Sequence, residues 1–166
     1  DVNKNYESLR YEGFGPHKVA LVIETLTDNK NRTASNLRTI LQKSGGRLGE
    51  TGSTSHYFFS CGILHVAKDK ISGEKILDLS INANAKDCFS NSEYHEILTE
   101  REDFYKIKSE IEKSIDSFLY SGIEWRPQTY LDISREESDA VIKMLETLED
   151  DDDVQNTFVN CNIHIN

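Results

Sequence analysis

Disulfide bonding, membrane spanning and the common constellations of catalysis are all missing from this sequence. Cys61, Cys88 and Cys161 are odd in number and unpatterned in spacing. They offer neither a disulfide framework nor a CxxC motif, and point to a reducing compartment. The longest purely aliphatic stretch is Val19–Ile23, far short of the roughly 20 residues that cross a bilayer. A soluble chain with no membrane partner is expected. His17, His56, His65, His95 and His164 never fall at HxxxH or HxxE spacing. No serine or cysteine sits in a GxSxG elbow or beside a plausible base. The expectation is therefore no catalytic residue, no metal and no cofactor. Apolar residues are scarce as well, at 37% against roughly 45–50% in typical globular chains. In 166 residues that suffices for a modest core, in one domain or two small ones. The sequence opens at Asp1 with no initiator methionine and no leader, and reads as a processed or truncated product.

What is abundant is negative charge, a net −10, which taken whole argues against a nucleic-acid partner. The charge is unevenly spread. Residues 1–60 hold eight basic and six acidic side chains, residues 61–127 nine and thirteen, and residues 128–166 two and ten. The first stretch is mildly basic and the C-terminal one carries most of the acidity.

Hydrophobic periodicity divides the chain into short elements. Tyr6–Gly13 alternates with period two, as a half-buried strand does. Val19–Leu26 is almost continuously apolar and predicts a central strand buried on both faces, hairpinned to the first. A helix from near Asn31 carries Ala34, Leu37, Ile40 and Leu41 and stops at Gly45-Gly46. A Gly-rich connection over residues 48–53 leads to a strand at Ser55–Phe59. The pattern then restarts, with a strand at Ile63–Val66, a helix near Glu74–Asn84 and a short strand at Tyr94–Leu98. A helix with Phe104, Ile107, Ile111, Ile115 and Leu119 on one face follows, closed by Gly122, and then an edge strand at Ile123–Pro127. A last helix at Arg135–Leu148 buries Val141, Met144, Leu145 and Leu148, and a strand lies within Val154–Ile165.

That final helix and strand have no partners of their own. The economical arrangement returns residues 128–166 to the sheet of residues 1–60, with residues 61–127 as an inserted ferredoxin-like α/β domain. The expected fold class is α+β: two small domains, each a mixed or antiparallel sheet with helices on one face.

Few segments suggest chemistry. Gly13-Phe14-Gly15-Pro16-His17-Lys18 lacks the third glycine of a phosphate loop and reads as a turn whose glycines supply positive φ. Asp150–Asp153 reads as a solvated turn just past a helix end, since contiguous carboxylates cannot all face one cation. Its density also suggests a basic protein partner. Thr27-Asp28-Asn29-Lys30-Asn31-Arg32-Thr33 lies between a buried strand and a helix N-terminus, where free N–H groups favour anions. Arg38 and Lys43 continue along that helix and Arg47 follows it. One reading is a capping loop with ordinary surface cations. The other is a surface in which Asn29, Lys30, Asn31, Arg32, Arg38, Lys43 and Arg47 contact phosphates or base edges.

Four segments taken together resemble the YebC/PmpR family. They are Tyr11-Glu12-Gly13-Phe14-Gly15-Pro16, then Leu26 to Ala34, then Gly45-Gly46-Arg47-Leu48-Gly49-Glu50-Thr51-Gly52-Ser53, and the ending Leu148 to Asn156, with Pro127 closing the middle portion. The resemblance covers nearly the whole chain and is weakest between residues 67 and 120. It implies a structural role for Tyr11, Glu12, Gly13, Pro16, Asp28, Gly46, Gly49, Glu50 and Gly52. It also implies family domains two and three, the third inserted in the second, with a basic helical first domain corresponding to the part before Asp1. The function implied is a DNA-binding regulator of transcription in the bacterial cytoplasm, with DNA, RNA or the ribosome as partner. Related proteins act in translation, in bacteria and in mitochondria. A monomer is expected. Two departures stand out. His17-Lys18 replaces the common Gly-Gly, and Ala83-Asn84-Ala85 stands where the family has Ala-Gly-Ala.

Overall fold

The computed structural model describes residues 5–164, which form two four-stranded sheets, each with two helices packed on one face. The chain is α+β, and the paired strands whose registers follow are antiparallel. One compact unit comprises the residues up to Phe59 together with those from Arg126 onward, and the other is Ser60–Trp125.

In the first unit, β1 (Glu7–Phe14) and β2 (Ala20–Thr27) form a hairpin in the register Phe14↔Ala20 to Glu7↔Thr27. The sheet order is β3-β1-β2-β8, with β3 at Arg47–Leu48 and β8 at Val154–Val159. Two helices cover one face, α1 (Lys30–Lys43) and α4 (Arg135–Glu149). Leu21 and Ile23 of β2 join Leu37 and Leu41 of α1 and Val141, Met144 and Leu148 of α4 in one core. Ala20 and Val22 are equally buried on the other face. That two-sided burial is what the continuous apolar run of β2 requires. The second face is roofed by the loop after β3, tied to β1 through the Glu12 carboxylate.

The second unit runs β4 (Phe58–Ala67), α2 (Gly73–Asn82), β5 (Asp87–Ser90), β6 (Tyr94–Glu100), α3 (Phe104–Glu112) and β7 (Tyr120–Pro127). Its sheet order is β5-β6-β4-β7. This β-α-β-β-α-β order is the split β-α-β motif. Leu64, Val66 and Ile97 pack against Ile76 of α2 and Phe104, Ile107 and Ile111 of α3.

Several local expectations are corrected. Gly62 does not break the chain into two strands: residues 58–67 are one strand, and Gly62 is small because a Cβ there would collide with Phe104 and Thr99. The helix carrying Phe104 ends at Glu112, so Leu119 is exposed and donates its N–H to the His65 carbonyl on the way into β7. Strands β3 and β5 fall where the sequence reading had only connections. They are too short, at two and four residues, for periodicity to register. The last strand ends at Val159, and its expected limit, Ile165, lies outside the described residues.

The turn joining β1 and β2 also differs in its cause. Gly15 has φ −98°, and the left-handed conformations fall on His17 (φ 61°) and Lys18 (φ 65°). The glycines are small for contact reasons. A Cβ on Gly13 would stand 2.8 Å from the Arg47 carbonyl oxygen, and one on Gly15 would stand 2.7 Å from the Met144 sulfur.

Candidate nucleic-acid interface

The segment Thr27–Thr33 forms the cap of α1. Asn29 is the N-cap, its Oδ1 accepting the Arg32 N–H at 3.1 Å, and Thr27 Oγ1 accepts the Asn29 N–H at 2.9 Å. Side chains of this type satisfy the orphan donors of a helix start. Two of the donors at this helix start, the N–H groups of Asn29 and Arg32, are thus already engaged.

Arg32, with its side chain 43% exposed, pairs with two carboxylates. Its Nε and Nη2 donate to Asp153 Oδ2 and Oδ1 at 3.2 and 2.8 Å, and Nη2 also reaches Asp28 Oδ1 at 2.8 Å. Thr33 Oγ1 completes the cluster, 2.7 Å from Asp153 Oδ2 and 2.8 Å from Thr27 Oγ1. Hydrogen bonds from Arg32, and secondarily from Thr33, hold the Asp153 carboxyl below the usual range against the opposing effect of burial. Asp153, with Asp28 next, in turn pushes the guanidinium pKa up. Asp153 is therefore buried and bonded, which corrects the picture of residues 150–153 as a uniformly solvated run. Asp151 Oδ1 accepts the Asp153 N–H at 2.9 Å and shapes the turn. Two of the motifs that stood out in the sequence are thus the two halves of one ionic lock, 121 residues apart.

Glu12 is a second buried carboxylate, and it organises the loop after β3. Its oxygens accept the N–H groups of Gly52 (2.8 Å), Thr54 (3.0 Å) and Ser55 (2.6 Å). Burial alone would raise its pKa, but these backbone donors outweigh burial and lower it. Gly52 adopts φ +89° to present its N–H, and the Gly49 N–H donates to the Glu12 carbonyl at 2.9 Å. Pro16 is buried at the start of the β1–β2 turn. Gly46 lies so close to β1 that a Cβ would collide with the Phe14 carbonyl. Tyr11 packs against the core and donates its hydroxyl to the Lys30 carbonyl, while Glu50 is exposed.

Of the other candidate cations, Lys30, Arg38 and Lys43 along α1 and Arg47 beyond it are all exposed. Among the described residues none of these four side chains has a carboxylate within ion-pair distance. Lys30 and Arg38 share an open groove of about 500 Å³ with Arg10, Tyr11 and the loop Gly49–Thr51. Arg47 stacks its guanidinium 4.7 Å from the centroid of the Phe14 ring. Asn31 is exposed on the first turn of α1. The structure thus brings Lys30 and Arg38 together, sets Lys43 and Arg47 further along, and leaves Arg32 and Asn29 exposed but bonded, Arg32 to Asp28 and Asp153 and Asn29 within the cap. It adds Lys18 and Tyr57, which the sequence reading missed; their positions depend on the left-handed turn and on the loop after β3. Among the described residues no group of three His, Cys, Asp or Glu side chains could hold a metal ion, and no helix is long and apolar enough to cross a membrane.

A family model described as the TACO1/YebC second and third domain matches residues 6–161. A probable transcriptional regulatory protein of Pelagibacter ubique is 50% identical over 162 residues, covering 98% of this chain and 67% of that protein. One of Zymomonas mobilis is 43% identical over 159 residues, covering 96% and 64%. The crystal structure of a conserved hypothetical protein of Aquifex aeolicus superposes with a TM-score of 0.86 at 34% identity, covering 99% of this chain and 68% of that one. The chain spans about two thirds of the length of the relatives it matches.

Proposed function

This chain belongs to the TACO1/YebC family, whose relatives carry the name of probable transcriptional regulatory proteins, and on that premise we propose that it regulates gene expression, without catalysis, by binding nucleic acid. The observation that supports this is the set of exposed cations on α1 and its exit, Lys30, Arg38, Lys43 and Arg47, in a unit whose remaining basic motif residue, Arg32, is consumed by structure. Exposed cations beside a groove contact phosphates and give affinity, while neighbouring polar and aromatic groups give selectivity. Transcription is the level to which the relatives' names point, and DNA, as duplex or as an opened single strand, is then the target.

The test is a salt titration of affinity for DNA and RNA with the full-length protein. Four phosphate contacts on a duplex give a slope of log affinity against log salt of about −3 to −4. Replacing Arg38, Lys43 and Arg47 with alanine flattens it by roughly three contacts' worth. An affinity that ignores salt, or no affinity at all, sinks the reading. Crosslinking in cells with sequencing of the bound strands then separates promoters from ribosomal RNA, the mark of a translational role.

A further inference from the structure

We propose that the hollow between the β1–β2 turn and the exit of α1 holds one unstacked nucleotide of a single-stranded nucleic acid, its base against Tyr57 and the Arg47 guanidinium and its phosphate against Lys18. This deepens the reading above and rests on it. The hollow measures about 440 Å³, within the roughly 300–1,000 Å³ of small-ligand sites. Its charged side chains are Lys18 and Arg47, with no carboxylate among its lining residues, in a chain of net charge −10. Its rings are Phe14, which carries the Arg47 guanidinium, and Tyr57, which is 41% exposed. The rest of the wall is the backbone of Gly15, Gly45 and Gly46, with no side chain to hold a ligand off.

Aromatic rings, guanidinium planes and cations around a shallow site are what a splayed base and its phosphate require. A duplex keeps its bases stacked and paired and cannot enter such a site. The turn that presents Lys18 is built at a cost. His17 and Lys18 both hold left-handed φ without being glycine, and His17 Nδ1 lies 3.3 Å from Glu137 Oε2 of α4, which fixes the turn against the helix. Two adjacent left-handed residues held against α4 by the His17–Glu137 contact at the rim of a cationic hollow are a pre-organised binding feature.

The experiment measures anisotropy of labelled single-stranded RNA, single-stranded DNA and duplex DNA with the full-length protein. The expected result is preference for single strands. Tyr57→Ala weakens that binding about tenfold or more with an unchanged salt slope, and Tyr57→Phe restores it. Lys18→Gly relaxes the turn, so its melting temperature holds or rises while the salt slope falls by about 0.7. Single-strand binding undiminished in Tyr57→Ala and Lys18→Gly overturns the hollow as the site and leaves the cationic face of α1 standing. Binding of duplex alone overturns the single-strand assignment. Binding of neither overturns both.

Discussion

Asp153 shows how much one carboxylate can organise. Removing it strips two hydrogen bonds from Arg32 and one from buried Thr33. Asp153→Ala should therefore lower stability on the order of 2–3 kcal/mol, as loss of bonds to a charged acceptor does, measured as a shift of the urea midpoint. The same bonds set an acid limit. Asp153 and Glu12 both have lowered pKa values in the fold. The stability they contribute is complete above the unfolded carboxylate range near pH 4 and is lost as pH falls below it toward the folded values. Urea midpoints between pH 7 and pH 2.5 should fall steeply only below about pH 4. In Arg32→Ala, Asp153 has lost the cation that chiefly lowers its pKa, so its folded and unfolded values lie closer together and the fall below pH 4 should be shallower. An unchanged profile in that variant would show that the lock carries no linkage. Arg32→Ala should also leave the salt dependence of nucleic-acid binding untouched, because its charge is already spent on Asp28 and Asp153. The sequence displayed both halves of this lock as conspicuous motifs. It could not display their partnership, since no local pattern connects residues so far apart in the chain.

At the scale of the element, the long periodic segments were legible and the exceptions have specific causes. Strand β2 and helices α1 and α4 followed from apolar spacing, because each buries a stripe or a face wide enough to impose a period. Strands β3 and β5 were not legible, being shorter than any period, and Gly62 looked like a break because a glycine kept small for the Phe104 ring is indistinguishable in sequence from one at a turn. The α1–β3 connection and the β1–β2 turn together make the distinction testable. Gly46→Ala drives a Cβ into the Phe14 carbonyl, and backbone cannot step aside as a flexible side chain can. A loss of about 3 kcal/mol is expected, at the upper end for overpacking. Lys18→Gly removes a left-handed strain of about 1–2 kcal/mol, partly offset by the greater freedom of glycine when unfolded. It should leave the melting temperature level or raised. A Gly46→Ala variant as stable as the parent would sink the contact argument, and a destabilised Lys18→Gly would sink the strain at Lys18.

For the whole molecule, charge is the property that sequence reported most directly and explained least. The net −10 combines a mildly basic first stretch, a middle stretch with thirteen acidic side chains against nine basic, and a C-terminal stretch with ten acidic against two basic. Folding returns that acidic stretch to the first unit, so that Asp150–Asp153 share a cleft with Arg32 and Asn36 of α1, the helix whose exposed side chains include Lys30, Arg38 and Lys43. Under the proposed function, Asp150, Asp151 and Asp152 repel the ligand that those cations attract, and salt screens that repulsion. Exposed charges more than about 8 Å apart interact weakly at physiological ionic strength and strongly at low salt. Replacing the three aspartates with asparagine should tighten nucleic-acid binding at about 0.02 M salt and change it little at 0.15 M. The gain should be equal for RNA and DNA, because long-range repulsion reads neither sugar nor base. A gain that persists at high salt would place the aspartates in direct contact with the ligand. No gain at any salt, together with loss of a co-purifying basic protein, would mean that this acidic end is itself a docking surface for protein.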